Sequence, residues 1–235
     1  EERAKGGVGL ILMSEVTAHH SCNIRNMPVI DKEQIPCLKD LTGRVHSHGA
    51  KIVLMLHHLG AHGRPATKRP FSVDDRGQIE MVRYANWAPS DTKEPFCREP
   101  AHQMDIDEIQ ELIQCYGRVA GIAKEAGFDG VHIQAGHGFL LGEFLSAFSN
   151  RREDRYGGDL EKRARLLLEI IDAVRQVCGD EFLVGVTFSA DELTAGGNTI
   201  DDGKRIAKIL EQTGKVDYLD VRLGGYAQAP IWVGD

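Results

Sequence analysis

Apolar residues gather along the chain in five short runs, VGLILMSEVT (8–17), KIVLMLH (51–57), GVHIQ (130–134), FLVGVTF (182–188) and YLDVRL (218–223). Between most of them the apolar positions recur at helical spacing, over 31–48, 105–126, 160–178 and 199–212. Gly127, Gly179 and Gly214 stand just past the last three segments as stop signals, and Asp105-x-x-Glu108 offers a carboxylate version of a capping pair. Strands that alternate with helices imply parallel pairing.

Period-two reading splits each of the last three runs into two faces. Val131/Ile133, Val184/Val186/Phe188 and Leu219/Val221/Leu223 form an apolar face, while His132/Gln134, Gly185/Thr187/Ser189 and Asp220/Arg222 form a small or polar one. A parallel sheet covered by helices on both sides reads apolar on both faces. A barrel has helices outside only, and its inner face turns polar toward the C-terminal strand ends where active sites lie. No glycine-rich phosphate loop of the doubly wound kind follows the first strand. The pattern therefore predicts a (β/α)8 TIM barrel. Five strands do not close eight, so residues 1–235 read as a barrel segment of a longer protein, or the ordered part of one.

Composition narrows the function classes. The 235 residues are 42% hydrophobic and 27% charged, with net charge −7 and no Lys/Arg run, which argues against a dedicated surface for nucleic acid or an anionic membrane. No stretch approaches the roughly 18 apolar residues of a membrane span. The opening EERAKGGVGL has neither an initiator methionine nor a signal-peptide pattern. Cys22, Cys37, Cys97, Cys115 and Cys178 are odd in number and include no Cys-x-x-Cys pair, so they read as buried, inert thiols of a cytoplasmic protein.

The segment FDGVHIQAGHGFLLGEFLSAFSNRREDRYGGDLEKRARLLLEII (128–171) resembles the Old Yellow Enzyme family of FMN-dependent oxidoreductases. GGVGLILMSEVTA (6–18), KIVLMLHHLGAHGR (51–64), LVGVTFSADELTAGG (183–197) and VDYLDVRLGG (216–225) are similar to the family's second, third, fifth and sixth strands. On that resemblance only strands 2 to 6 are represented, without strand 1 and strands 7 and 8, whose loops hold the flavin phosphate in the family. It implies FMN as cofactor, NADH or NADPH as electron donor, and a small-molecule substrate with an activated C=C bond of the enone or enoyl type. It is most like the branch of 2,4-dienoyl-CoA reductases and NADH:flavin oxidoreductases. Members there often carry an iron–sulfur cluster and an FAD-type dinucleotide domain downstream. A homo-oligomer is compatible with it.

In "GVHIQAGHGF" (130–139) the resemblance assigns Gln134 and His137 as the catalytic pair. Two polar side chains three apart at a strand end can converge on one oxygen, polarising it where charge develops as hydride arrives. Ala18, Met55, Thr187 and Arg222 are the implied flavin-side positions. Three departures from the family stand among these residues. Phe139 replaces the tyrosine that gives the α-carbon its proton, Met55 a glutamine on the pyrimidine ring, and Thr187 an arginine near flavin N1. Arg222, facing inward on the next strand, either takes over that charge or pairs with Asp220 or Asp191. Gly157-Gly158 reads as a turn, and Arg151, Arg152 and Arg155 as ties from loops to nearby carboxylates.

The cluster HHLGAH, with His57, His58 and His62, reads as pocket lining with His62 on a solvated loop. No ligand spacing fixes a metal site. Two alternatives stay open: a trimethylamine-dehydrogenase-like amine dehydrogenase, whose third strand also continues Gly-Ala-His and for which Phe139 is harmless, and a flavin-free scaffold barrel.

Overall fold

A computed structural model describes residues 1–19, 21–22, 30–63, 72–73, 79–80, 86–93 and 100–225, with the backbone alone described at 72–73 and 79–80. Among the described residues, ten strands occur in chain order: β1 Leu10–Thr17, β2 Lys51–His57, β3 Ser72–Val73, β4 Ile79–Glu80, β5 Asn86–Ala88, β6 Thr92–Lys93, β7 Pro100–Gln103, β8 Gly130–Ala135, β9 Leu183–Asp191 and β10 Tyr218–Leu223. Six α-helices accompany them: α1 Glu2–Lys5, α2 Ile35–His46, α3 Ile106–Glu125, α4 Leu140–Leu145, α5 Leu160–Cys178 and α6 Ile200–Gln212. The five apolar runs become one sheet in the order β1-β2-β8-β9-β10, parallel throughout.

Helices form where the sequence supplies both a start and a stripe. Asp105 caps α3 by accepting from Glu108 N at 2.8 Å, while the Glu108 carboxylate accepts from Asp105 N at 2.9 Å. Ile109, Leu112, Ile113, Tyr116, Val119, Ala120 and Ala123 recur at i, i+3, i+4 and are all buried. Each fully buried aliphatic side chain of this kind contributes about 1.5–3 kcal/mol. The last turn of α5 stops at Gly179, whose φ of 75° lies in the left-handed region that a side chain disfavours.

Strand register stacks the inner face in layers. Met55, His132, Gly185 and Tyr218 share one level, and Gln134, Thr187 and Asp220 share the next; Arg222 pairs with Ser189 above them. A bulge between Met13 and Val16 adjusts β1 before Thr17 meets His57. The opposite face joins Leu54, Leu56, Val131, Ile133, Val184, Val186 and Phe188 to the helices in one core.

Several expectations need correction. The helix expected over 31–48 begins as a 3-10 turn at Lys32–Gln34, with Asp31 as its cap, before α2. Val221 and Leu223, expected to pack under helices, are each 55% exposed, because no described helix covers the outer face of β10. Cys37 is exposed, whereas Cys22, Cys115 and Cys178 are buried; Cys97 lies outside the described residues. Arg152 does bind a carboxylate, Asp154, but Arg151 donates to the Asp91 carbonyl and Arg155 to the Tyr156 hydroxyl. No helix among the described residues is long and apolar enough to cross a membrane.

Candidate active site

The residues singled out at the strand ends lie on one face and at one end of the sheet. Gln134, 4% exposed, ends β8, and Gly136 N donates to its Oε1 at 3.0 Å. That bond fixes which way the amide points, so its NH2 faces the Met55 thioether at 3.9 Å and the Glu15 carboxyl. Glu15 on β1 faces the same space, and burial raises its pKa while the Gln134 amide opposes the shift.

His137 sits in the tight turn after β8 with φ 58°, a left-handed conformation that costs a non-glycine residue about 1 kcal/mol or more. Its N–H donates to Ser189 Oγ at 3.0 Å, and Ser189 Oγ donates to the Gly224 carbonyl at 2.8 Å, so β8, β9 and the end of β10 are tied where the histidine projects. Burial lowers the His137 pKa, Arg222 lowers it further and Asp220 opposes both. The ring is a neutral donor or acceptor at pH 7.

His57 ends β2 fully buried, with neither ring nitrogen hydrogen-bonded; its Nδ1 is 3.9 Å from Glu15 Oε1. Its ring meets Phe139 edge-on at 4.5 Å, and burial pushes its pKa down to about 3. The neighbouring His58 points the other way. His58 Nδ1 accepts from Gly60 N, so Nε2 carries the proton and donates to Ser21 Oγ at 2.8 Å; Ser21 in turn donates to His19 Nδ1, and His19 Nε2 bonds Glu111. Trp87 stacks on His19 at 4.4 Å, which makes this a structural knot rather than a reactive triad.

Ala18, fully buried, gives its N–H to the His57 carbonyl at 2.9 Å. Thr187 is 1% exposed and donates to Asp220 Oδ2 at 3.1 Å. Arg222 donates to the same oxygen at 2.8 Å, so of the carboxylates considered for it Asp220 is the one it pairs with. Sequence reasoning did not single out Tyr218 or the pairing of His132 with it, since cross-strand partners depend on register.

Beside this site, a cavity of about 230 Å³ is lined by Ala61, His62, Lys93, Gly138, Glu143 and Glu192 among others. His62 was expected on a solvated loop. Its side chain is only 7% exposed and its Nε2 lies 3.6 Å from Glu143 Oε1. Burial holds the Glu143 carboxyl well above its usual range, and Ala61 N donates to it at 3.2 Å. No cluster of three metal-ligating side chains occurs among the described residues.

Comparison with known proteins places this geometry. The family model described as NADH:flavin oxidoreductase / NADH oxidase matches residues 1–231. The chain belongs to that family. Its members are enzymes with FMN as cofactor and NADH or NADPH as electron donor, and the barrel and the Old Yellow Enzyme resemblance expected from the sequence are borne out. An NADH oxidase of Thermoanaerobacter brockii is 37% identical over 234 residues, which are 97% of this chain and 33% of the oxidase. An N,N-dimethylglycine/sarcosine dehydrogenase of Chromohalobacter salexigens is 33% identical, over 94% of this chain and 30% of the dehydrogenase. The solved 2-naphthoyl-CoA reductase in complex with 2-naphthoyl-CoA superposes with a TM-score of 0.84 at 30% identity, over 96% of this chain and 34% of the reductase. This chain thus spans about a third of each of these relatives.

Proposed function

We propose that the chain is the barrel part of a cytoplasmic, FMN-dependent oxidoreductase that takes electrons from NADH or NADPH and reduces activated C=C bonds of enone or enoyl-type small molecules. The observation that carries the reading is the orientation of Gln134. With Oε1 tied to Gly136 N, its amide presents N–H donors to the strand-end face, as polarising a substrate oxygen requires.

The residues present fit a flavin ring. The buried Ala18, the partly exposed Met55 thioether, the neutral ring of His137 and the guanidinium of Arg222 offer apolar contact and donors from four neighbouring elements. Ala18, Met55, Thr187 and Arg222 would hold the cofactor, which supplies hydride when bound. Gln134 and His137 then polarise the acceptor's carbonyl as charge develops, and the strained turn at His137 fixes its ring beforehand. Phe139 has no proton to give, so water delivers the proton to the α-carbon. An iron–sulfur cluster and FAD, if carried by the longer protein, would belong to other parts of it.

A second reading, oxidation of an N-methylated amine, draws on Phe139 and on the sarcosine dehydrogenase similarity, because removing hydride from an amine needs no α-carbon acid. The orientation of Gln134 as a donor favours the first.

The test is His137→Ala. Phenolate and carbonyl ligands that shift the flavin spectrum should bind about tenfold or more weakly, as expected for a lost hydrogen bond of roughly 1.5 kcal/mol, while flavin content stays constant. Loss of flavin together with ligand would make His137 structural.

A further inference from the structure

Tyr218, His132, Thr187, Asp220 and Arg222 form one hydrogen-bonded chain across β8, β9 and β10, and its proton positions are determined. A carboxylate cannot donate, so Thr187 Oγ1 gives its proton to Asp220 Oδ2 at 3.1 Å. The hydroxyl must then accept from His132 Nε2–H, which leaves His132 Nδ1 to accept from Tyr218 O–H at 2.9 Å. Arg222 closes the chain on Asp220 at 2.8 Å.

The charge along this chain cancels. Burial pushes the His132 pKa down to about 4 and the Tyr218 pKa up to about 12, so both rings are neutral near pH 7. Asp220 and Arg222 oppose each other. The groups facing Asp220 are Tyr218 and Arg222 on its own strand, Thr187 on β9, and His132 and His137 from β8 and the turn after it. Glu15 and His57 lie across the face on β1 and β2. Among the described residues, Arg222 is the one Lys or Arg in the C-terminal half of the inner face, and it is already paired.

We propose that Asp220, held by Thr187 and His132, cancels the positive charge of Arg222 and so makes flavin reduction in this protein take up two protons for two electrons. This rests on FMN binding at the strand-end face as read above. Hydride from NAD(P)H brings two electrons and one proton. Solvent supplies the second proton, and the cofactor retains it because, among the described residues, no unpaired cation at this corner compensates the charge that would otherwise remain. Asp220 is thus a positioning residue that acts through Arg222.

The experiment is a spectroelectrochemical titration of the flavin-loaded protein over the mildly alkaline range, where free reduced flavin has lost its second proton. The reduction equilibrium should change a hundredfold per pH unit, about 59 mV for a two-electron couple. Asp220→Asn, which leaves Arg222 unopposed, should bring the dependence down to tenfold, about 30 mV. A tenfold dependence in the unaltered protein overturns the inference even if the variant fails to fold. A hundredfold dependence that persists in Asp220→Asn overturns the role of Asp220. Protein that binds no flavin overturns the proposed function, and this inference with it; bound flavin with the wrong dependence overturns this inference alone.

Discussion

Replacing His57 by leucine should stabilise the protein, and more so in acid. The wild-type ring is fully buried with both nitrogens unbonded, a penalty of about 1–3 kcal/mol that an apolar side chain does not carry. Against this stands the edge contact with Phe139, worth about 0.5–1.5 kcal/mol. The expected net gain at pH 7 is therefore about 1 kcal/mol. The pH term is larger. Burial depresses the folded-state pKa from 6.5 to about 3, so folding favours the unprotonated ring; stability present above pH 6.5 is lost as pH falls toward 3. Linkage with those two values gives a wild-type loss of about 2 kcal/mol between pH 7 and pH 5 from this residue. His57→Leu lacks that loss, and every other histidine cancels in the comparison. Urea unfolding of both proteins at the two pH values measures it. Parallel pH dependence, or a variant less stable than wild type at both values, refutes the reasoning.

Arg152→Ala should cost about 3 kcal/mol, read as a thermal midpoint lowered by roughly 6–12 °C, because the 2% exposed guanidinium serves Asp154 and the carbonyls of Pro89 and Met104 together. Phe139→Tyr should leave flavin content unchanged and raise turnover on activated alkenes by about tenfold or more, since a phenol then supplies the proton that water otherwise brings. On an N-methylated amine the same substitution should change nothing.

The sheet was legible because its five strands, six to nine residues long, stand out as apolar runs, and in the last three clean alternation sorted the faces. The short strands of β3 to β7, two to four residues each, are too brief to show a period, and nothing in 72–103 marked them. Residue types at the site were legible from the family pattern, but most of their partners were not. The direction of the Gln134 amide depends on a backbone N–H two residues away, whereas Asp220 stood among the partners the sequence offered for Arg222 and forms the pair. His62 looked solvated because its loop is glycine-rich; its burial comes from α4, which brings Glu143 against Ala61. Arg64, at the end of the resemblance over 51–64, lies outside the described residues.

Anaerobic reoxidation of the prereduced flavin tests the central claim most directly. Mixed with an enone in a stopped-flow cell, the flavin-loaded protein should regain its oxidised absorbance at a rate that saturates with enone, and Gln134→Leu should slow that step by about tenfold or more through loss of one polarising donor. Reduced flavin that persists in the presence of enone, together with oxidised flavin that is bleached by an N-methylated amine, would contradict the account.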